Sequence, residues 1–115
     1  MRQRIRVLGR VGIIGNDIDT KFPDLPPKWL WHFWGKKEEL QDKKLKVVAI
    51  HKDTGEEADP LGKYMTEPRV TYSDTLVNGS HATMPSNVSL PRAGLWKVKV
   101  YLDEAFFAEF IIEVK

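Results

Sequence analysis

An antiparallel all-β sandwich of about seven strands, closed by a C-terminal hairpin, is the fold this sequence predicts, and three observations predict it. Apolar and polar residues alternate along two neighbouring runs at the C-terminus, the period of strands with one buried face. A β-branched-rich run, Leu45–His51, stops at Asp53-Thr54-Gly55-Glu56, which has the composition of a hairpin loop. Glycine and proline punctuate the rest, and only residues 36–46 offer helix formers in number.

Taken in chain order, residues 5–14 read as one strand or two short ones, with Gly9, Gly12 and Gly15 marking bulges, bends or ends. Residues 16–28 form a long connection stiffened by Pro23, Pro26 and Pro27. Residues 29–34, Trp-Leu-Trp-His-Phe-Trp, form a strand with Trp29, Trp31 and Phe33 on one face and Leu30, His32 and Trp34 on the other. Residues 36–46 offer only Leu40 and Leu45 to bury, enough for an exposed helical turn. Short strands follow at 69–72 and 87–90, separated by a second long connection over 72–87. The turn Pro91-Arg92-Ala93-Gly94 then leads into the final hairpin. Its first strand buries Trp96, Val98, Val100 and Leu102; its second, after Asp103-Glu104, alternates Ala108, Phe110, Ile112 and Val114 with Phe107, Glu109, Ile111 and Glu113. A proline, a glycine and then a core aromatic is a common entry to the penultimate strand of an immunoglobulin-like sandwich, which is the variety expected here.

Composition bounds the rest. At 115 residues the chain fits one domain, taken as 1–115, that buries roughly two-thirds of its unfolded surface. Hydrophobic residues at 42% and charged residues at 30% give an ordinary globular balance. A net charge of +2, with basic residues interleaved with acids, argues against a nucleic-acid partner. Cysteine is absent, which removes disulfides, thiol nucleophiles and Cys-type metal sites. No signal-peptide core and no membrane-length apolar run occurs, so direct membrane insertion is not expected.

The candidate contact residues are Trp29, Trp31, His32, Trp34 and His81. Tryptophans on both faces of one strand are either core anchors or, where a face is open, a platform for sugar rings or a partner's side chains. Nothing marks a catalytic residue or a cofactor: Gly-x-Ser-x-Gly and Gly-rich phosphate loops are missing. His32, His51 and His81 lack metal-ligand spacing, so a metal-dependent hydrolase is the remote alternative. Asn78-Gly79-Ser80 and Asn87-Val88-Ser89 match the glycosylation sequon, a weak pattern.

Three stretches carry a family resemblance: residues 28–35, 45–56, and 85–91 continuing to Gly94-Leu95-Trp96-Lys97. From about Val11 to Lys115 the chain resembles uncharacterised immunoglobulin-like domains of Bacillus-type bacteria, found in proteins taken for cell-surface lipoproteins and attached to some membrane proteins. Where that family tends to carry Asp-x-His, this chain has His81-Ala82-Thr83, so a function resting on that pair does not carry over. The resemblance implies an extracytoplasmic or cell-surface setting, while the missing lipobox cysteine and signal-peptide core leave a cytoplasmic one open. The functional expectation is a non-catalytic binding or spacer domain, a monomer or weak dimer contacting protein or cell-wall polysaccharide through residues 29–34 and 72–87. A proteinase-inhibitor-like module presenting the Pro-rich loop 16–28 is the alternative, since prolines reduce the entropy lost on binding.

Overall fold

The computed structural model describes residues 6–115; Ile5, the expected start of the first strand, lies outside the described residues. The elements in chain order are β1 (Arg6–Leu8), β2 (Val11–Ile14), β3 (Lys28–Phe33), α1 (Lys37–Leu40), β4 (Leu45–His51), β5 (Glu57–Ala58), β6 (Thr71–Val77), β7 (Ser80–Asn87), β8 (Gly94–Leu102) and β9 (Ala105–Val114). They form two antiparallel sheets, ordered β1-β2-β3-β7-β6 and β5-β4-β8-β9. The β-sandwich is as the sequence predicts, with nine strands among the described residues in place of about seven.

The core lies between the sheets and is built by the period-two rows. Trp29, Trp31 and Phe33 point inward from β3, Val47 and Ala49 from β4, and Trp96, Val98 and Val100 from β8, all buried. Burying each aliphatic or phenylalanine side chain is worth about 1.5–3 kcal/mol, so these rows hold the sheets face to face. Leu40 of α1 is also fully buried, the one contribution of the expected helical turn. That turn is tied at its start by Glu39, which accepts the Lys36 amide at 3.0 Å and the Arg10 guanidinium at 2.8 Å.

The C-terminal hairpin is present, and its turn is tighter than its composition suggests. Leu102 pairs with Ala105, and Asp103 and Glu104 both take left-handed backbone, at φ 47° and 71°. Two positive φ values in a two-residue loop match the twist of the flanking strands, which here is achieved without glycine. The Asp103 carboxylate accepts the Lys44 amide at 2.8 Å, anchoring this turn to the start of β4. One expectation is corrected within β9. Val100 pairs with Ala108 but Tyr101 with Phe106, so Phe107 is the extra residue of a β-bulge. The bulge turns Phe107 into the core, edge-on to Phe33 at 6.1 Å, instead of leaving it on the outer row with Glu109 and Ile111.

The larger correction concerns residues 72–87, which are not a loop. They form most of a hairpin, β6 and β7, whose turn is Asn78-Gly79 with φ 51° and 81°. Asn-Gly is the strongest short signal for such a turn, and structurally it outweighs the sequon that overlaps it. The expected strand at 87–90 is likewise replaced: β7 ends at Asn87, and Val88 and Ser89 donate their amides to Pro27 and Pro60 at 3.1 Å each.

Candidate functional site

The tryptophan strand turns out to be interior. Trp29, Trp31 and His32 are buried, between the sheets or beneath the β6–β7 hairpin, and present no open aromatic face. Each buried indole has a hydrogen-bond acceptor: Trp29 Nε1 donates to the Asn16 carbonyl at 2.7 Å and Trp31 Nε1 to Ser86 Oγ at 2.8 Å. Trp34 and His81 are half-buried and lie together where β3 meets the hairpin turn. Trp34 Nε1 donates to the Gly79 carbonyl at 2.9 Å, its ring stacks on His32 at 6.4 Å, and His81 Nδ1 accepts the Gly35 amide at 3.4 Å. These contacts fasten the hairpin turn to the end of β3.

His32 is the chemically unusual member of this cluster. Its Nε2 lies 3.1 Å from the Asn78 amide nitrogen; with that amide donating, the neutral ring keeps its proton on Nδ1. Nδ1 is buried and has no hydrogen-bond partner among the described residues. Loss of hydration lowers the His32 pKa from the usual 6.5, opposed in part by the nearby main chain of Gly12 and Leu30. A folded-state pKa below the unfolded one means that the unfolded chain takes up the proton first. Stability is therefore expected to be whole above pH 6.5 and to fall as the pH drops from there through the folded pKa. Urea unfolding midpoints measured from neutral to mildly acid pH check this. The fall should be shallower in His32→Gln, and an identical fall in both proteins would show that His32 is not its source.

The other histidine is structural. His51, at the end of β4 in the opposite sheet, places Nε2 2.9 Å from the Ala93 carbonyl, accepts the Thr54 amide on Nδ1 at 3.2 Å and packs edge-on to Trp96 at 5.0 Å. Among the described residues no group of three or more His, Asp or Glu side chains is placed to hold a metal ion.

The surface with the clearest binding character is the crest of the Pro-rich connection, residues 16–28. Phe22 is 55% exposed and Leu25 73%, large apolar side chains held out together. The loop that carries them is fixed at both ends and folded in between. Thr20 donates its amide to the Lys115 carbonyl and Lys115 donates to Ile18; Phe22 closes a turn on Asp19 at 3.1 Å and Leu25 a second turn on Phe22 at 3.0 Å. Beyond them, Val88 bonds the Pro27 carbonyl. A cleft of about 320 Å³ opens beside the crest, lined by Phe22, Pro23, Pro26, Leu90 and Pro91, with Asp59 and Lys63 among its polar members. A second depression of about 270 Å³ flanks Leu25. The prolines flagged the loop in the sequence; Phe22 and Leu25 gave no signal there, because isolated apolar residues in loops are common.

Comparison with known proteins places this geometry in context. No curated protein matches the chain. A crystal structure described as that of a "Putative Lipoprotein from Bacillus anthracis" is similar in fold, with a TM-score of 0.67 and 17% sequence identity over 98% of this chain and 78% of that one. At that identity the likeness carries the fold alone. A family model described as "Domain of unknown function (DUF4871)" matches residues 3–112, nearly the whole chain, and the chain belongs to that family.

Proposed function

We propose that this chain is a non-catalytic binding domain of the bacterial cell surface, and that it engages a protein partner through the Phe22–Leu25 crest. The observation that carries the reading is the crest itself. Two large apolar side chains stand exposed on a loop closed by two successive turns and bonded to Lys115, so little conformational entropy remains to be lost on binding. Clefts on either side offer room for a partner's own side chains. The alternative of a polysaccharide partner draws less support: the aromatic platform reduces to the half-buried Trp34, whose ring is already stacked on His32. The proteinase-inhibitor alternative calls for an extended segment, whereas this loop is coiled into turns at Asp19–Phe22 and Phe22–Leu25.

An extracytoplasmic setting is supported by the fold likeness to the Bacillus anthracis protein described as a lipoprotein. No helix among the described residues is long and apolar enough to cross a membrane. The strand order also supports the immunoglobulin-like assignment. Sheet β2-β3-β7-β6 corresponds to strands A-B-E-D and sheet β4-β8-β9 to C-F-G, with β5 an added short strand beside β4.

The test is retention of labelled protein on cell envelopes from a Bacillus-type bacterium, before and after protease treatment of the envelopes. Saturable, protease-sensitive retention is expected, weakened about tenfold or more in Phe22→Ser/Leu25→Ser, as for central apolar anchors of an interface. Equal retention of the two proteins, with both folded by circular dichroism, would overturn the crest; retention that survives protease treatment would overturn the protein partner.

A further inference from the structure

We propose that the outer edge of β9 is a second binding site, which accepts an extended peptide strand carrying one basic residue on each side of an apolar one. The site is independent of the crest and follows from the direction of backbone groups along the last strand.

β9 is the outer strand of its sheet, hydrogen-bonded to β8 on one side. Two observations fix which of its residues face outward. The Leu95 carbonyl accepts from the Lys52 amide, so Leu95 turns its backbone groups toward the β4 side and away from β9. By alternation Lys97 and Lys99 do the same, and their partners across the hairpin, Glu113 for Leu95, Ile111 for Lys97 and Glu109 for Lys99, turn theirs outward. Independently, Lys115, in phase with those three, donates its amide to the Ile18 carbonyl and accepts the Thr20 amide on that same outer edge. Residues 18–20 thus occupy the first rung of a new ladder beside β9. The rungs at Glu113, Ile111 and Glu109 continue it, and no backbone hydrogen bond to another segment fills them among the described residues.

The side chains at those rungs specify the occupant. Glu109, Ile111 and Glu113 lie on one exposed face, with Ile111 46% exposed. Neither glutamate forms an ion pair among the described residues, and the rungs carry one acid on each side of an apolar side chain; Lys99 lies opposite Glu109 across the β8–β9 hairpin, whereas Glu113 lies opposite Leu95. A strand added at this edge sets its own side chains directly opposite them, where opposite charges stabilise and like charges destabilise. A second copy of this chain is disfavoured on the same ground: antiparallel self-pairing centred on Ile111 would bring Glu109 against Glu113. The charge pattern therefore selects a strand of the form basic-x-apolar-x-basic, held by main-chain bonds and sorted by side chains, as in recognition by strand addition.

The probes are two synthetic peptides, Thr-Lys-Val-Ile-Val-Lys-Thr and its counterpart with both lysines replaced by glutamate. Titrated into the isotope-labelled chain, the lysine peptide should bind saturably and slow amide exchange at Glu109, Ile111 and Glu113, while Phe110 and Ile112, already bonded to β8, change little. The glutamate peptide should bind at least about tenfold more weakly, two cross-strand pairs having changed sign. In Glu109→Lys/Glu113→Lys this preference should reverse. Ile111→Pro should abolish binding, because it removes an outward N–H without breaking a bond to β8; should it fail to fold, the charge-reversed variant decides alone. Phe22→Ser/Leu25→Ser should bind the lysine peptide as the unaltered chain does, which separates this site from the crest. Failure of the lysine peptide to bind, equal binding of both peptides, exchange slowed at another edge, or concentration-dependent protection of the same amides without peptide would each overturn the proposal.

Discussion

Replacing Trp31 with alanine is expected to destabilise the domain by about 3 to 5 kcal/mol, the range for truncating a fully buried large aromatic. Trp31 is completely buried in the centre of β3, between Ile13 of β2 and Met84 of β7 in register, and its ring meets Trp29 at 5.5 Å and Phe110 of the opposite sheet at 6.4 Å. It therefore ties three strands of one sheet to the last strand of the other. Two costs add when it is removed: a cavity the surrounding strands cannot fill, and a buried Ser86 hydroxyl deprived of its indole donor. Against a total stability of about 5 to 15 kcal/mol for a domain of this kind, the loss removes about a fifth or more. Guanidinium unfolding followed by circular dichroism measures it. Trp31→Phe separates the two costs, since it keeps most of the ring volume and loses the N–H; Ser86→Ala in that background should then recover part of the loss. A Trp31→Ala protein within 1 kcal/mol of the parent, by the about 1 kcal/mol that typifies an ordinary substitution, would show that β3 is not the centre of the core.

The same strand shows how far the sequence reveals this molecule. Its alternation placed Trp29, Trp31 and Phe33 on one face, and those three are the inward row. What periodicity could not reveal is the cover on the other face. His32 is buried there because Asn78 and Trp34 close over it, and both depend on a hairpin whose own pattern is faint. In β7 the inward residues are Ser80, Ala82, Met84 and Ser86, three of them small or polar, alternating with His81, Thr83, Pro85 and Asn87. Hydropathy barely oscillates along such a strand, and β6 beside it is largely exposed. The legible signal was the Asn78-Gly79 pair, which marks a tight turn by its ability to adopt positive φ at both positions. By contrast β4, β8 and the outer half of β9 bury large apolar side chains on one side only, and their alternation reads directly.

Phe22 and Leu25 carry no local signal for a related reason. Exposed Phe22 and Leu25 become a surface only once their loop is pinned, and the pins are main-chain bonds to Lys115 and to Val88 that span 61 or more positions of the chain, a distance no local pattern spans. The proline content nevertheless marked the loop as worth inspecting. Fold was thus readable where burial is one-sided and side chains are large; the candidate contact surfaces, crest and strand edge, are set by long-range backbone pairing.

Gly15→Ala is expected to be comparably damaging, and it tests how that crest is held. Gly15 is the pivot at which the chain leaves β2 for the loop, and it passes directly over Trp29. A methyl group there would overlap Trp29 Cδ1 and sit 2.9 Å from the Lys28 carbonyl oxygen, the second an atom of the main chain of β3 that cannot move without disturbing the sheet. Relief requires either displacing the buried Trp29 ring, which breaks its bond to the Asn16 carbonyl, or lifting the loop from the sandwich. Overpacking of this kind costs about 1 to 3 kcal/mol, and losing the buried indole hydrogen bond adds about 1 kcal/mol more. Gly55→Ala supplies the control: Gly55 has φ 75°, where a side chain is strained, yet a methyl group there meets nothing within 4 Å. Its cost should be that of backbone strain alone, about 1 kcal/mol. Thermal unfolding of the two variants therefore separates close approach from conformation. Should Gly15→Ala melt no lower than Gly55→Ala, the tight crossing over Trp29 would be refuted. Should it melt lower and also free the amides of Thr20 and Phe22 to exchange, the crossing at Gly15 is what holds the crest in place.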